Sequence, residues 1–425
     1  IFHLSILTLI LLLPLNLFNK NNKLTFGHPL IFYSLIMFYY TVLNPCFQIV
    51  INETTSKGLD FRDQYILGWK GAILSAFSVL LGYSLKIKFI KNVSRKCLLS
   101  LQSLWTIGFF FNIIGITLFL IFSGFDLSVF NPFYTKSLSI EFLSYRGALK
   151  NYFVYAQEFL VGGNLLMFAS AYENKRKFTL TAISIIICLL LFLNSGFRFR
   201  IFFLITSLIL YFFIREEKVK INLAIPLGSF SIIFITYLMI FIGEIRDYGT
   251  GFNFDSLNFV PKTIFKTGES DVFITTAGVI NIIPEKLPFE SFYPIIKALL
   301  HPIPSSLFNK FSGDYLFRIL DGVYGFKNIF YGGAYLNYGE YYIMFGWFGI
   351  SIFSFLLGYL YKRLWCWINQ RKEEPLALVI YLLNISFIFM IISRGYLAQQ
   401  FQLYIFTVVP LYGIYFLNLK PKFNN

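Results

Sequence analysis

The stretch "NSGFRFRIFFLITSLILYFF", Asn194–Phe213, decides the fold class of this chain. It joins two arginines to an apolar segment that is long enough to enter a lipid bilayer. The whole chain has the same character, since its 425 residues are 57% hydrophobic and 13% charged, with a mean hydropathy of +0.66. Soluble domains are much less apolar. The composition therefore predicts an integral membrane protein of the all-α class.

Eleven segments are apolar and long enough to be membrane spans, and they predict a polytopic helix bundle of about eleven or twelve spans. We expect the first segment to be a retained helix, because it has neither a basic n-region nor a cleavage site. The predicted spans are 1–18, 29–51, 65–86, 99–122, 150–171, 178–194, 199–214, 222–243, 338–363, 376–393 and 398–417.

Basic stretches alternate with these spans and predict the topology. Lys and Arg accumulate in cytoplasmic loops, so the net charge of +15 is mostly a topology signal and gives no indication of nucleic-acid binding. The basic stretches are 19–23, 86–96, 173–177, 215–220, 362–372 and the C-terminal 420–422. They predict three regions: an N-terminal bundle (1–243), a long extracytoplasmic loop (244–337) of mostly short amphipathic helices over an outer cavity, and C-terminal transmembrane helices (338–425).

Arg198 and Arg200 fall on the outer side of this topology, where the positive-inside bias disfavours them. A charge within the bilayer costs at least ~2.5 kcal/mol, so a compensating partner is expected. They either snorkel to lipid phosphates, pair with a carboxylate, or hold a bound diphosphate. Further arginines predicted on the same side favour an anion site: Arg146, Arg246, Arg318 and Arg394.

Ionisable groups on the same side are candidates for a general base, namely Glu244, Glu340 and His301. Each also has a structural explanation: an ion pair of Glu244 with Arg246, a buried Glu340 hydrogen-bonded to tyrosines, or a turn role for His301 before a proline. Glu158 lies inside a predicted span, where a carboxylate marks a functional or a structural pairing site.

Several chemistries leave no signature in the sequence. It contains no GxSxG, HExxH, Walker A or GxGxxG motif. The four cysteines are far apart in the chain and indicate neither a disulfide framework nor a CxxC metal site. We therefore predict no metal and no cofactor.

Three stretches resemble the bacterial O-antigen or capsule polymerases of the Wzy type. One is the small-Gly-x-Arg link that opens the helix quoted above, and the second, 269–308, resembles the family's long periplasmic loop. The third is "YGGAYLNYGEYYIMFGWFGISIFSFLLGYLY", Tyr331–Tyr361, with a Gly-Glu-x-Tyr and then a Phe-Gly-Trp-x-Gly pattern. A departure is Ser305, where relatives often carry Arg, which moves the loop's anion contact to Lys310 or Arg318.

The resemblance implies a GT-C-like membrane glycosyltransferase of the bacterial inner membrane that uses no nucleotide sugar. It would move a growing glycan from undecaprenyl diphosphate to a new lipid-linked repeat unit at the outer face, with arginines stabilising the leaving diphosphate. Tyr293, Tyr338 and Glu158 would contact sugar or acceptor. A chain-length regulator and a flippase are the protein partners that it suggests. The alternatives are a lipid-linked O-antigen ligase, a flippase or exporter of lipid-linked oligosaccharide, and a structural scaffold.

Overall fold

The computed structural model describes residues 2–17, 23–52, 54–56, 59–86, 95–97, 99–130, 153–173, 177–194, 198–215, 271–303, 315–325 and 334–421. This part of the chain is almost entirely helical. The helices are α1 (Phe2–Leu12), α2 (Pro29–Phe38), α3 (Asn44–Val50), α4 (Tyr65–Ser84), α5 (Leu101–Ser123), α6 (Glu158–Glu173), α7 (Phe178–Asn194), α8 (Arg198–Arg215), α9 (Asp271–Ile282), α10 (Tyr293–Leu300), α11 (Tyr315–Tyr324), α12 (Asn337–Asn369), α13 (Pro375–Ser393), α14 (Leu397–Thr407) and α15 (Val409–Leu417). The strands are β1 (Thr55–Ser56), β2 (Leu59–Asp60), β3 (Arg95–Cys97) and β4 (Leu419–Pro421), which pair as β1–β2 and β3–β4.

Six helical segments of the described chain are long and apolar enough to cross a membrane, judged by length and composition. They are Pro29–Val50, Arg62–Ser84, Leu101–Ser123, Asn337–Asn369, Pro375–Ser393 and Leu397–Leu417. Helices also occupy the described parts of the other predicted spans, apart from 222–243, which lies outside the described residues. The all-α, multi-pass class predicted from composition is confirmed, whereas the total of eleven or twelve spans stays a prediction.

The crossing of α4 and α12 brings two backbones into direct contact through glycine. A Cβ atom added at Gly82 would lie 2.0 Å from the Phe355 carbonyl oxygen, and one added at Gly358 would lie 2.0 Å from the Val79 carbonyl oxygen. Small residues at such crossings let helices pack closely where no hydrophobic effect drives them together. The two glycines therefore set the distance between α4 and α12.

Gly358→Ala is expected to destabilise the protein by about 1–3 kcal/mol, because the added methyl group must push two backbones apart. Gly413→Ala is the matched control, since a Cβ atom there has nothing within 4 Å. The control should be neutral or stabilise the helix by up to about 1 kcal/mol. Thermal unfolding of both variants in detergent micelles measures the difference, and equal midpoints would remove the close crossing as a source of stability.

The loop predicted over 244–337 is only partly a surface structure. In its described part, α9 is buried on nearly all sides and packs against α4 and α12, whereas α10 and α11 lie at the surface. The physical reason is that the sequence "DVFITTAGVINI" is mostly apolar, and the hydroxyls of its two buried threonines, Thr275 and Thr276, are satisfied by the helix's own backbone. The apolar residues of this loop were expected to pack against the membrane part, as α9 does, but as amphipathic helices over a cavity and not as a helix buried on nearly all sides.

Basic stretches from different parts of the sequence meet at one end of the bundle. β3 pairs with β4, so 95–97 lies beside 419–421. Arg215 at the end of α8 approaches Glu373, with 3.4 Å between Nη1 and Oε2. The opposite end, where α12 begins, is called the Glu340 end below. Since the predicted cytoplasmic stretches meet away from it, the Glu340 end is the side on which the topology predicts the extracytoplasmic surface.

Helix α12 is broken at Phe345 and Gly346, which separates a short first segment from a long second one. Gly346 has φ +61° and ψ −145°, a conformation that L side chains rarely adopt. The break leaves helix carbonyls without their usual partners. The amide of Glu290 donates to the Ile343 oxygen at 2.9 Å and that of Ser291 to the Met344 oxygen at 3.1 Å. The loop before α10 is thereby fixed to the break.

Candidate active site

Glu340 lies in the first turn of α12 and is 0% exposed. Its carboxylate accepts hydrogen bonds from the hydroxyls of Tyr315 and Tyr335 and from the amide of Leu397, the last at 3.2 Å. The Leu397 amide is an orphan donor at the start of α14, so the carboxylate lies at two helix N-termini. These donors and dipoles offset the cost of burying a charge. We call Glu340, Tyr315, Tyr335 and the Leu397 amide the carboxylate cluster.

Tyr315 connects this cluster to the surface. Its hydroxyl contacts Glu340, while its ring lies 5.7 Å from that of Tyr293 and 5.6 Å from that of Tyr396, measured between centroids. Burial and, next, the adjacent Glu340 carboxylate raise the pKa of Tyr315 well above its usual value. The phenol therefore stays protonated and acts as a donor to the carboxylate.

Two cationic or titratable side chains border the same tyrosines. Lys297 of α10 places its Nζ atom 5.4 Å from the centroid of Tyr315 and 5.8 Å from that of Tyr396, within the range of cation–π attraction. The ring of His301 lies 6.4 Å from that of Tyr396. We call the half-buried Tyr293, Lys297, His301 and Tyr396 the rim. It is a polar and aromatic surface beside the ring of Tyr315.

Two of the predicted arginines lie next to these groups. Arg394 follows α13 and precedes Gly395, whose amide donates to the backbone carbonyl oxygen of Tyr335 at 2.6 Å. The backbone carbonyl of Arg394 accepts a hydrogen bond from the Gln400 side chain. Arg318 lies one turn after Tyr315 on α11, is 51% exposed and pairs with Glu290. The structure thus brings the predicted Tyr293, His301, Arg318, Glu340 and Arg394 to one end of the bundle.

Arg200 and Glu158 form a separate buried cluster. Arg200 is 1% exposed and its Nε atom lies 2.6 Å from Oε1 of Glu158, which is 0% exposed. Nη1 of Arg200 donates to the Gln157 side-chain oxygen at 2.5 Å, and Thr407 donates to Oε2 of Glu158 at 3.3 Å. The pair connects α6, α8 and α14. A carboxylate partner is one of the compensations that the sequence predicts for the arginine.

Charge placement along the two helices explains why the pair forms. Arg200 lies in the first turn of α8, where the helix dipole disfavours a cation, whereas Glu158 begins α6, where the dipole favours an anion. A buried guanidinium at an unfavourable helix end requires a close counter-charge. Glu158 supplies it, so this arginine is engaged within the protein.

The remaining predicted residues are not part of these clusters. Tyr338 is fully buried, and its hydroxyl donates to the Gly68 oxygen at 3.2 Å, so its ring packs between α12 and α4. Arg198 begins α8, but its side chain is outside the description. Arg146, Glu244 and Arg246 lie outside the described residues. Within the described part, no three His, Cys, Asp or Glu side chains gather as metal ligands.

Sequence reasoning did not single out Lys297, Tyr335, Tyr396 or Thr407. Lys297 and Tyr396 approach Tyr315 from α10 and from the link between α13 and α14, so no local pattern reveals their contact. Tyr335 had a signal, because it lies in the tyrosine-rich stretch around Glu340. Thr407 gave none, since a threonine in an apolar helix usually bonds its own backbone, as it also does here with Leu403.

These features define a multi-pass membrane protein with a buried carboxylate, tyrosines and cations gathered at one end of its helices. Residues 1–422 match the family model "O-antigen polysaccharide polymerase Wzy". Because the match covers nearly the whole chain, the protein belongs to this family, and its activity is that of a polymerase with a glycosyltransferase-like reaction. No curated protein sequence and no solved structure gives a significant match to the chain.

Proposed function

We propose that this protein polymerises oligosaccharide repeat units carried on undecaprenyl diphosphate, at the outer face of the bacterial inner membrane. The observation that carries the proposal is the contact of Tyr315 with both the buried Glu340 and the cationic rim. Basic segments gathered at the opposite end support an outer location for this site. The family match supports the reaction class.

In the proposed reaction, a hydroxyl at the nonreducing end of the new repeat unit attacks the anomeric carbon of the growing glycan. A carbon–oxygen bond forms there, and the bond from the anomeric carbon to the phosphate oxygen breaks. The electron pair of that bond leaves with undecaprenyl diphosphate. The hydroxyl proton passes to the Tyr315 oxygen as the Tyr315 proton passes to Glu340, so no free phenolate forms. Because His301 borders the same ring system, it is the second candidate base, and Glu244 is the third.

Positive charge near the rim would stabilise the leaving diphosphate, which gains charge in the transition state. Lys297 and Arg394 are the groups that we assign to this role from the described residues, with Arg318 one helix turn away from the cluster. Arg146, Arg198 and Arg246 remain proposed ligands on the basis of the sequence. Arg200 is paired with Glu158, so we assign both residues to positioning of the helices.

The proposed function predicts a defined product in liposomes that contain the purified protein and a synthetic undecaprenyl-diphosphate-linked repeat unit. We expect a ladder of lipid-linked glycans with two or more units, resolved by electrophoresis or mass spectrometry. Glu340→Gln protein at the same density is the control. A reaction mixture that keeps only single units, with folded protein present, would contradict polymerase activity on this donor.

The same assay separates the alternatives. Transfer of glycan to lipid A core, when that acceptor is supplied, would indicate a ligase. Movement of the single unit between leaflets without elongation would indicate a flippase or exporter. Elongation that continues when the substrate is accessible only from the side of the basic loops would contradict the outer location.

A further inference from the structure

Helix α10 carries an exposed apolar stripe. Phe292, Ile296 and Leu299 lie on one face, and 62%, 45% and 56% of their respective surfaces are exposed. The opposite face buries Pro294 and Ala298 against the protein. Three large exposed apolar side chains in a row are unusual for a surface in contact with water. The stripe therefore needs an apolar neighbour.

The depth of α10 along the bundle indicates what that neighbour is. Trp347 lies in the first turn of the long second segment of α12, and the basic stretch 362–372 marks the other end of that segment. Tryptophan is enriched at membrane–water interfaces, so Trp347 marks the interface on the Glu340 side. The loop before α10 is hydrogen-bonded to Ile343 and Met344, within one helix turn of Trp347. Helix α10 thus lies at the membrane boundary of the Glu340 end.

The stripe is also continuous with a lipid-facing surface. Exposed apolar side chains recur every four residues along the second segment of α12: Phe348, Ile352, Leu356 and Leu360. Phe292 contacts Phe345 at the top of this segment, with ring centroids 4.8 Å apart. Since α12 is a membrane-spanning helix, its exposed face meets lipid tails. The apolar surface then extends without a polar gap from α12 to Phe292.

We propose that α10 is an interfacial helix whose stripe of Phe292, Ile296 and Leu299 is inserted into the lipid hydrocarbon on the Glu340 side. An amphipathic helix in this position lies in the membrane plane with its apolar face buried below the headgroups. Lys297, on a different face, is held at the level of lipid phosphates. If the proposed function holds, the diphosphate of a lipid-linked substrate reaches the rim by lateral diffusion, without leaving the bilayer.

The test uses the full chain in liposomes, with a single cysteine at position 296 labelled with bimane. The native Cys46, Cys97, Cys188 and Cys366 are first replaced, and an unchanged thermal unfolding midpoint confirms that this background is folded. Lipids brominated on their acyl chains quench a fluorophore that contacts hydrocarbon. Phe348→Cys serves as the lipid-facing reference, and Glu285→Cys, on the exposed turn just before the loop that leads to α10, serves as the aqueous reference.

We expect the label at Ile296→Cys to be quenched at least half as strongly as that at Phe348→Cys, and several-fold more than that at Glu285→Cys. Leu299→Cys is a second reporter of the same stripe, in case one position labels poorly. Quenching by aqueous iodide, with bromolipid quenching equal to that at Glu285→Cys, would overturn the proposal. The measurement does not require turnover, so its failure and that of the polymerase assignment are distinguishable.

Discussion

Arg200→Ala is expected to lower the free energy of unfolding by about 3–5 kcal/mol, because it leaves the fully buried Glu158 carboxylate without its counter-charge. Thermal or denaturant unfolding of the purified protein in detergent measures the loss. Arg318→Ala is the matched control, since Arg318 is 51% exposed to solvent, although the side chain of its partner Glu290 is 9% exposed. Removing this partly exposed pair should cost clearly less than the buried pair, about 1 kcal/mol.

A double-mutant cycle makes the prediction specific to the pair. Glu158→Leu together with Arg200→Met removes both charges, so the double variant should be more stable than either single variant. Additive losses, or equal losses for Arg200→Ala and Arg318→Ala, would contradict the buried pair. Arg200→Lys should rescue incompletely, because one ammonium cannot reproduce the two guanidinium bonds to Glu158 and Gln157. A loss of polymer in Arg200→Ala is then explained by displacement of the helices, and it is not evidence that Arg200 binds the diphosphate.

Glu340→Gln is expected to reduce turnover per folded molecule by about 10²–10⁴-fold, the range for removal of a general base. The amide has the shape of the carboxylate but does not take a proton from Tyr315. Tyr315→Phe should give a comparable fall, because it removes the hydroxyl that connects Glu340 to the rim. The rate of glycan elongation in liposomes, divided by the amount of folded protein, is the measurement.

Glu285→Gln is the matched control, since Glu285 is exposed on a turn of the same described region and should elongate glycan at the normal rate. Near-normal turnover of Glu340→Gln would exclude Glu340 as the proton acceptor. If Tyr315→Phe also keeps its activity, the carboxylate cluster is a structural element, and His301→Ala becomes the decisive variant. If Tyr315→Phe elongates glycan at the normal rate while His301→Ala does not, His301 of the rim is the base.

Much of the fold follows from local properties of the sequence. Membrane helices are predictable because hydropathy and helix length are properties of contiguous segments, and this is why the helices match the predicted spans wherever the structure describes them. The alternation of basic loops predicted that 86–96 and the C-terminal tail share one side, and β3 pairs with β4 there. The apolar stretch that forms α9 was expected to fold against the membrane part as an amphipathic helix over a cavity, but its burial between α4 and α12 was not predicted, because twelve residues are too few to span a bilayer.

The candidate site was less accessible to sequence reasoning. A buried Glu340 with tyrosine partners was among the stated possibilities, since its neighbours in the sequence are tyrosines. The pairing of Glu158 with Arg200 was not predicted as such, although each residue was singled out for its improbable place in an apolar segment. A charged residue in an apolar segment can be recognised from the sequence because burying it is costly. Its partner cannot be recognised in this way, because the partner depends on how distant helices pack. Lys297 could not be recognised from the sequence, because a lysine on a short surface helix carries no energetic cost that marks it as unusual.

The break in α12 has a mechanical consequence for the site. Glu340 belongs to the short segment before Gly346, which protein surrounds on all sides, whereas the long segment after it meets lipid. Membranes differ in thickness, and helices respond to mismatch by tilting. Because of the break at Gly346, the direction of the first segment is not set by the axis of the long segment. A carboxylate carried on one continuous helix would instead follow every change in the tilt of its membrane-spanning part.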